Sequence, residues 1–266
     1  MNAKSLFGAL LIAFLFLFLI AALPATVSAS HSWNGYHWAR TINPFTLKLG
    51  NNTSGTWTNL LTTASSDWSQ STVLDTVVVA GGTNPKSCRP TSGQDQVCST
   101  SYGNTGWLGL AQIWITGGVH ITQGTVKLND YYFGNSTYAY NNEAEKLHVV
   151  CQEVGHTFGL AHQDETGISL NTCMDYYHNT NNLDTQSTHP NQHDYDELVT
   201  IYTPLDTFTT VGSSSATKPG AANDDFDAPE QWGKVVEENP RYAVYERDFG
   251  NGNKLVTRVI WATSSR

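Results

Sequence analysis

Positive charge is what this sequence has least of. Of 266 residues only 14 are Lys or Arg, against 23 Asp or Glu, for a net charge of −9. Binding a phosphate backbone takes clustered basic side chains, and those here are scattered, which argues against a nucleic-acid partner. No internal repeat is present, so the chain reads as one substantial core with at most a small appendage. Cysteine is sparse too, with four in the whole chain. Long apolar runs are confined to residues 6–23.

That run follows Lys4 and ends at Pro24, and Val27, Ser28 and Ala29 supply small residues for cleavage. Residues 1–29 therefore read as a secretory signal. The alternative is an uncleaved anchor, since the run is nearly long enough to span a bilayer. Cleavage leaves a secreted chain with no stable membrane association, and export favours paired cysteines. Four cysteines pair in three ways. Cys88 and Cys98 flank a loop rich in Gly, Pro and Ser and are expected to join, which leaves Cys151 with Cys173.

Alternation predicts a strand over 45–49, and Trp57, Leu60, Leu61, Ala64 and Trp68 predict a helix over 56–69. A buried strand over 74–80 follows, parallel to the first. Residues 85–106 read as a long disulfide-closed loop, and 108–115 and 124–129 as two further strands. Asn142 and Glu145 look like a capping box. The helix they open buries Leu147, Val150, Cys151, Val154 and Phe158 on one face. Asn191 caps a last helix carrying Tyr195, Leu198, Val199 and Tyr202. The main domain is expected over 30–206, a linker over 207–224, and a C-terminal β-hairpin extension over 225–266, turning at Gly250, Asn251, Gly252 and Asn253.

Gln152, Glu153, His156, Gly159 and His162 form the informative constellation. On a helix turning about 100° per residue, positions 152 and 156 stand about 40° apart and one turn apart, so both reach one ion. Gly159 is free to take φ > 0 and swing the chain back, bringing His162 to the same ion.

This pattern resembles the signature of the metzincin zinc metallopeptidases, H-E-x-x-H-x-x-G-x-x-H followed by a methionine turn. Gln152 stands where the family has its first histidine. Thr172, Cys173, Met174, Asp175 and Tyr176 match the turn. The resemblance implies an α+β fold, with a mixed twisted sheet, an active-site helix and a C-terminal helix. It also implies one catalytic zinc held by Gln152, His156 and His162, with Glu153 as general base, Met174 as floor and Tyr176 on the oxyanion. The activity implied is a secreted endopeptidase acting on an extended peptide or protein substrate. Such a substrate would lie along an edge strand at 110–115, whose spare N–H and C=O groups add it as one more strand; an ordinary core strand is the alternative reading.

An amide oxygen is a weaker ligand than imidazole, and losing even a partner behind a ligand lowers metal affinity roughly 10- to 100-fold. Gln152 thus motivates a second reading, a protein that binds peptide or a surface partner in the same cleft without turnover. His148 lies two turns from His156, about 12 Å along the axis, too far to share its ion. His31, His37, His120, His178, His189 and His193 lack ligand spacing and read as surface or hydrogen-bonding histidines. The run Asn223, Asp224, Asp225, Phe226 and Asp227 offers oxygens for calcium, though a solvated linker is the favoured reading.

Overall fold

The computed structural model describes residues 30–214, 226 and 228–262. The expected signal and most of the acidic run at 223–227 lie outside them. Among the described residues no helix is long and apolar enough to cross a membrane. The architecture is α+β, one large mixed sheet with few helices.

A two-residue strand, β1 (His37–Trp38), precedes β2 (Phe45–Asn52), where Phe45, Leu47 and Leu49 point into the core. Helix α1 (Thr56–Trp68) buries Trp57, Leu61, Ala64 and Trp68, the stripe its spacing predicts. Strand β3 (Leu74–Ala80) then pairs parallel with β2, as expected, but it forms the sheet edge and is only half-buried.

The expected loop over 85–106 contains a strand, β4 (Asp95–Thr100), parallel to both β2 and β6 (His120–Asn129). Its sequence hides it, because Asp95, Gln96 and Ser99 are polar and yet buried. Side-chain hydrogen bonds make that tolerable: Asn52 Nδ2 donates to Gln96 Oε1 at 2.7 Å. Strand β5 (Trp107–Thr116) runs antiparallel to β6. A short helix α2 (Asp130–Phe133), the long α3 (Glu143–Thr157) and α4 (Gln192–Tyr202) follow.

The C-terminal hairpin is built into the main sheet. Strands β7 (Lys234–Glu238), β8 (Tyr242–Gly250) and β9 (Asn253–Trp261) continue the same sheet, in the order β3-β2-β4-β6-β5-β9-β8-β7 with β1 on β6. Asn251 and Gly252 turn it with φ of 54° and 75°, as a two-residue type I′ connection demands. Val256 and Ile260 enter the main core, and Val259 packs with Trp107, Leu110 and Trp232 on the other face. Strand β5 is therefore interior, with β6 on one side and β9 on the other, and the free edge expected at 110–115 is taken. Alternation within the hairpin was legible, but which strand it joins depends on contacts far apart in sequence. Both disulfides form as expected, Cys88 with Cys98 and Cys151 with Cys173.

Strand β4 also anchors the end of α3. The Thr157 hydroxyl lies 2.6 Å from Asp95 Oδ2 and 2.7 Å from the Val154 carbonyl, and its single hydrogen serves only one of them. A protonated Asp95 that donates to Thr157 satisfies both contacts. Complete burial favours that form, pushing the Asp95 carboxyl up to about 8. The native state then holds a proton that the unfolded chain loses above its ordinary value of 3.8. Stability from this group should accordingly fall as pH rises from about 4 toward about 8. Asp95→Asn keeps the donor and removes the titration, so urea midpoints between about pH 5 and pH 8 should fall less steeply in the variant than in wild type. Equal slopes would refute a neutral Asp95.

Candidate metal centre

Helix α3 opens at Asn142, whose side chain accepts from the Glu145 N–H at 2.9 Å. The box is not closed from the other side. Glu145 turns away to accept from His178 Nδ1 and from the Asn179 N–H, both at 2.6 Å, and so holds the loop after Met174 against the helix. At the other end Gly159 has φ 93°, and a Cβ there would stand 1.9 Å from the Tyr36 carbonyl oxygen. No other residue meets both demands. The returning chain is braced by an N-terminal strap, with Trp33 N–H donating to the Gly159 carbonyl at 2.7 Å and Ala161 N–H to the His31 carbonyl at 2.5 Å.

This path brings the two motif histidines together, with His156 Nε2 and His162 Nε2 at 3.0 Å. His156 Nδ1 stands 2.8 Å from the Leu160 carbonyl, which can only accept, so Nδ1 carries the hydrogen and Nε2 a lone pair. Burial keeps both rings neutral by holding their pKa values well below the usual imidazole range, and the charge of Arg258 adds to this. Two buried nitrogens this close need a proton or a cation between them. Donors on a tetrahedral ion with bonds of about 2.0–2.1 Å sit about 3.3 Å apart, so the pair fits a metal after a shift of a few tenths of an ångström.

Gln152 has one orientation open to it. Its Nε2 donates to the Asp175 carbonyl at 2.8 Å, which leaves Oε1 buried and without a hydrogen-bond partner. An amide oxygen in that state suits a hard or borderline cation. His148 Nε2 lies 3.1 Å from the same carbonyl and not with the histidine pair, as its distance along the helix predicts. The Cys151–Cys173 bridge fixes helix and turn at this point. Met174 packs under α3, for a Cβ at Gly155 would stand 2.6 Å from its Sδ. The Tyr176 ring lies 3.8 Å from that of His162 and stacks on Tyr242 at 4.4 Å. Its hydroxyl is buried and unpartnered, and burial raises its pKa.

Glu153 is fully buried, and neither carboxyl oxygen has a hydrogen-bond partner. Desolvation holds its pKa well above the usual carboxylate range, opposed only by the charge of Arg258. Gly109 of β5 permits the close approach, since a Cβ there would meet Glu153 Cγ and Oε1 at 3.1 Å. Arg258 is the neighbour that the sequence did not single out. It comes from β9, is 2% exposed, and lies 5.2 Å above the Trp33 ring and 5.6 Å from that of Tyr242. Glu237 is its ion-pair partner at 3.5 Å, and Nε and Nη1 make no hydrogen bond. Its place in an apolar, alternating strand gives no hint of this position.

Asp164, just past His162, closes its own turn, accepting from the Thr166 and Gly167 N–H groups at 2.8 and 3.0 Å. His37 and His120, read as surface or hydrogen-bonding histidines without ligand spacing, meet Asp206, with one ligand atom from each lying within 4.8 Å of the others. That group is a second candidate metal site. Sequence spacing misses it because 83 residues separate the two histidines and 86 more precede Asp206.

No family model and no curated protein matches the chain. Among solved structures, one of myroilysin aligns over 64% of this chain and 97% of its own, at 11% identity and a TM-score of 0.36. A second, a crystal structure of myroilysin, aligns over 65% and 86%, at 13% identity and a TM-score of 0.34. Similarity at this level leaves fold and activity to be argued from the residues.

Proposed function

We propose that the chain is a secreted, zinc-dependent endopeptidase of metzincin type, held latent by its own C-terminal strand. The observation that carries this reading is the pair of buried imidazoles with Nε2 atoms 3.0 Å apart, together with Glu153, three residues before the first of them, whose buried carboxyl makes no hydrogen bond. Gln152 Oε1, His156 Nε2 and His162 Nε2 hold the ion. Zinc supplies polarisation of the scissile carbonyl and acidification of water. Once the cleft opens to water and the carboxyl ionises, Glu153 would take the proton from water and deliver it to the leaving amine. The unpartnered Tyr176 hydroxyl donates to the oxyanion.

The substrate in this reading is an extended peptide, and β9 supports that choice by occupying its place. It pairs antiparallel with β5 from Lys254 to Trp261, using the backbone groups that a peptide would use. Val256, Arg258 and Ile260 alternate toward the core and site, which puts Arg258 within electrostatic reach of Glu153. Displacing β9 re-exposes Leu255, Val256, Val259 and Ile260 at roughly 1.5–3 kcal/mol each, so thermal opening is rare and activity requires a trigger.

A second reading, a binder without turnover, is favoured by that same occupancy together with Gln152. In it the cleft engages its own strand or a partner and Glu153 never works.

Three measurements separate the two. Cleavage of an unfolded protein such as casein should be abolished by chelator and by Glu153→Ala; if neither wild type nor any hairpin variant cleaves in a chelator-sensitive way, the peptidase reading fails. Arg258→Ala removes the cation within electrostatic reach of Glu153 and loosens β9, and should raise the cleavage rate at least about 10-fold, about 1.4 kcal/mol of barrier. Unchanged or lower activity in a folded variant would remove the latency claim. Gln152→His should tighten zinc at least about 10-fold in competition with a chromophoric chelator; unaltered affinity would take position 152 out of the ligand set.

A further inference from the structure

The strap that braces the His162 loop is itself tied down at a second cluster. Residues 31–36 lead into β1, where His37 stands beside His120 at the start of β6, with ring centroids 5.0 Å apart. Asp206, beyond α4, reaches both: its Oδ1 is 3.1 Å from His120 Nε2 and 3.5 Å from His37 Nε2. Arg40 occupies the other oxygen, its Nη1 donating to Oδ2 at 2.8 Å and its N–H at 3.2 Å. The carboxylate is thereby oriented, with Oδ1 presented to the two rings.

The tautomer of His37 makes this arrangement informative. Its Nδ1 lies 2.7 Å from the Gly35 carbonyl, an acceptor, so Nδ1 carries a hydrogen and Nε2 is the atom turned to Asp206 Oδ1. A proton on Nε2 or a bound cation satisfies that contact. A backbone carbonyl holding Nδ1–H so that Nε2 is free is the usual support behind a metal-binding histidine. The separations of 3.1 and 3.5 Å bracket the about 3.3 Å expected for neighbouring donors on a tetrahedral ion. All three side chains are 14–19% exposed, which leaves a face open for loading and for a water ligand.

We propose that His37, His120 and Asp206 bind a second divalent transition-metal ion, a structural clasp distinct from the His156 and His162 centre. Two imidazoles and a carboxylate select zinc or its first-row neighbours over calcium or magnesium. The ion joins three segments: β1, the start of β6, and the stretch after α4. That stretch is already zipped to the residues just after β1 by Asp206 N–H to the Arg40 carbonyl and Thr210 N–H to the Ala39 carbonyl, both at 2.9 Å. Fixing β1 fixes the strap, and the strap holds Gly159 and Ala161 on either side of the turn to His162.

The test does not depend on activity. Full-length protein is stripped with chelator, titrated with zinc, and its bound metal counted, with the unfolding midpoint followed alongside. Wild type is expected to take two equivalents, the His156→Ala, His162→Ala double variant one, and the His37→Ala, His120→Ala double variant one, with a smaller rise in midpoint on adding zinc. Each single His37→Ala or His120→Ala change should weaken the clasp at least about 10-fold. A single equivalent that survives His156→Ala, His162→Ala and disappears with His37 and His120 supports the clasp and instead removes the ion from the peptidase reading. Zinc bound only through His156 and His162, with the count unchanged by His37→Ala, His120→Ala, overturns the proposal. Should a clasp variant fail to fold, cobalt added to the His156→Ala, His162→Ala protein decides: a visible ligand-field band from imidazole coordination supports the clasp, and a flat spectrum overturns it.

Discussion

Backbone pairing along β5 is the constraint on which the rest depends. That strand has two sides, and both are filled, one by β6 and the other by β9. Pairing on the β6 side builds the sheet against which α3 packs, with Gly109 letting Glu153 come close. Pairing on the β9 side brings Arg258 into the same dry space. One strand thus sets the position of the helix, the burial of the site and the nature of its innermost cation.

Dryness then governs the chemistry. Removed from water, Glu153 is driven toward its neutral form and the two imidazoles away from their charged forms. A buried guanidinium with unpartnered nitrogens is costly, and two aromatic faces and the ion pair with Glu237 offset only part of this. Such an arrangement persists because the apolar flanks of Arg258 on β9 are well buried. The site and its cover are therefore energetically opposed, the one favouring water and the other excluding it.

The sequence was most informative where local rules suffice. The glycine at 159, the caps at Asn142 and Asn191, the stripe on α1 and the Asn251–Gly252 turn each follow from a few neighbouring residues, and the structure contains all of them. The approach of His156 to His162 was legible for the same reason, being set by one helix end and one turn. Strand β4 was not, because its buried polar residues are satisfied by partners such as Asn52 that lie far away in sequence. Nor were Arg258 and the His37, His120 and Asp206 cluster, whose neighbours are chosen by sheet order. Half of the candidate centre was local and could be read, while its closure is tertiary.

The tight connection between β8 and β9 carries a lesson for ligand chemistry. Its two turn residues have φ > 0 and set the register of the strands that follow, so the ribbon carries much of its shape within its own sequence. A short macrocycle copying residues 242–261 would start out already folded for the β5 groove, with an arginine delivered at a known depth. The chain in this sense carries its own template for a ligand of β5, and modest changes on either side of position 258 would vary it.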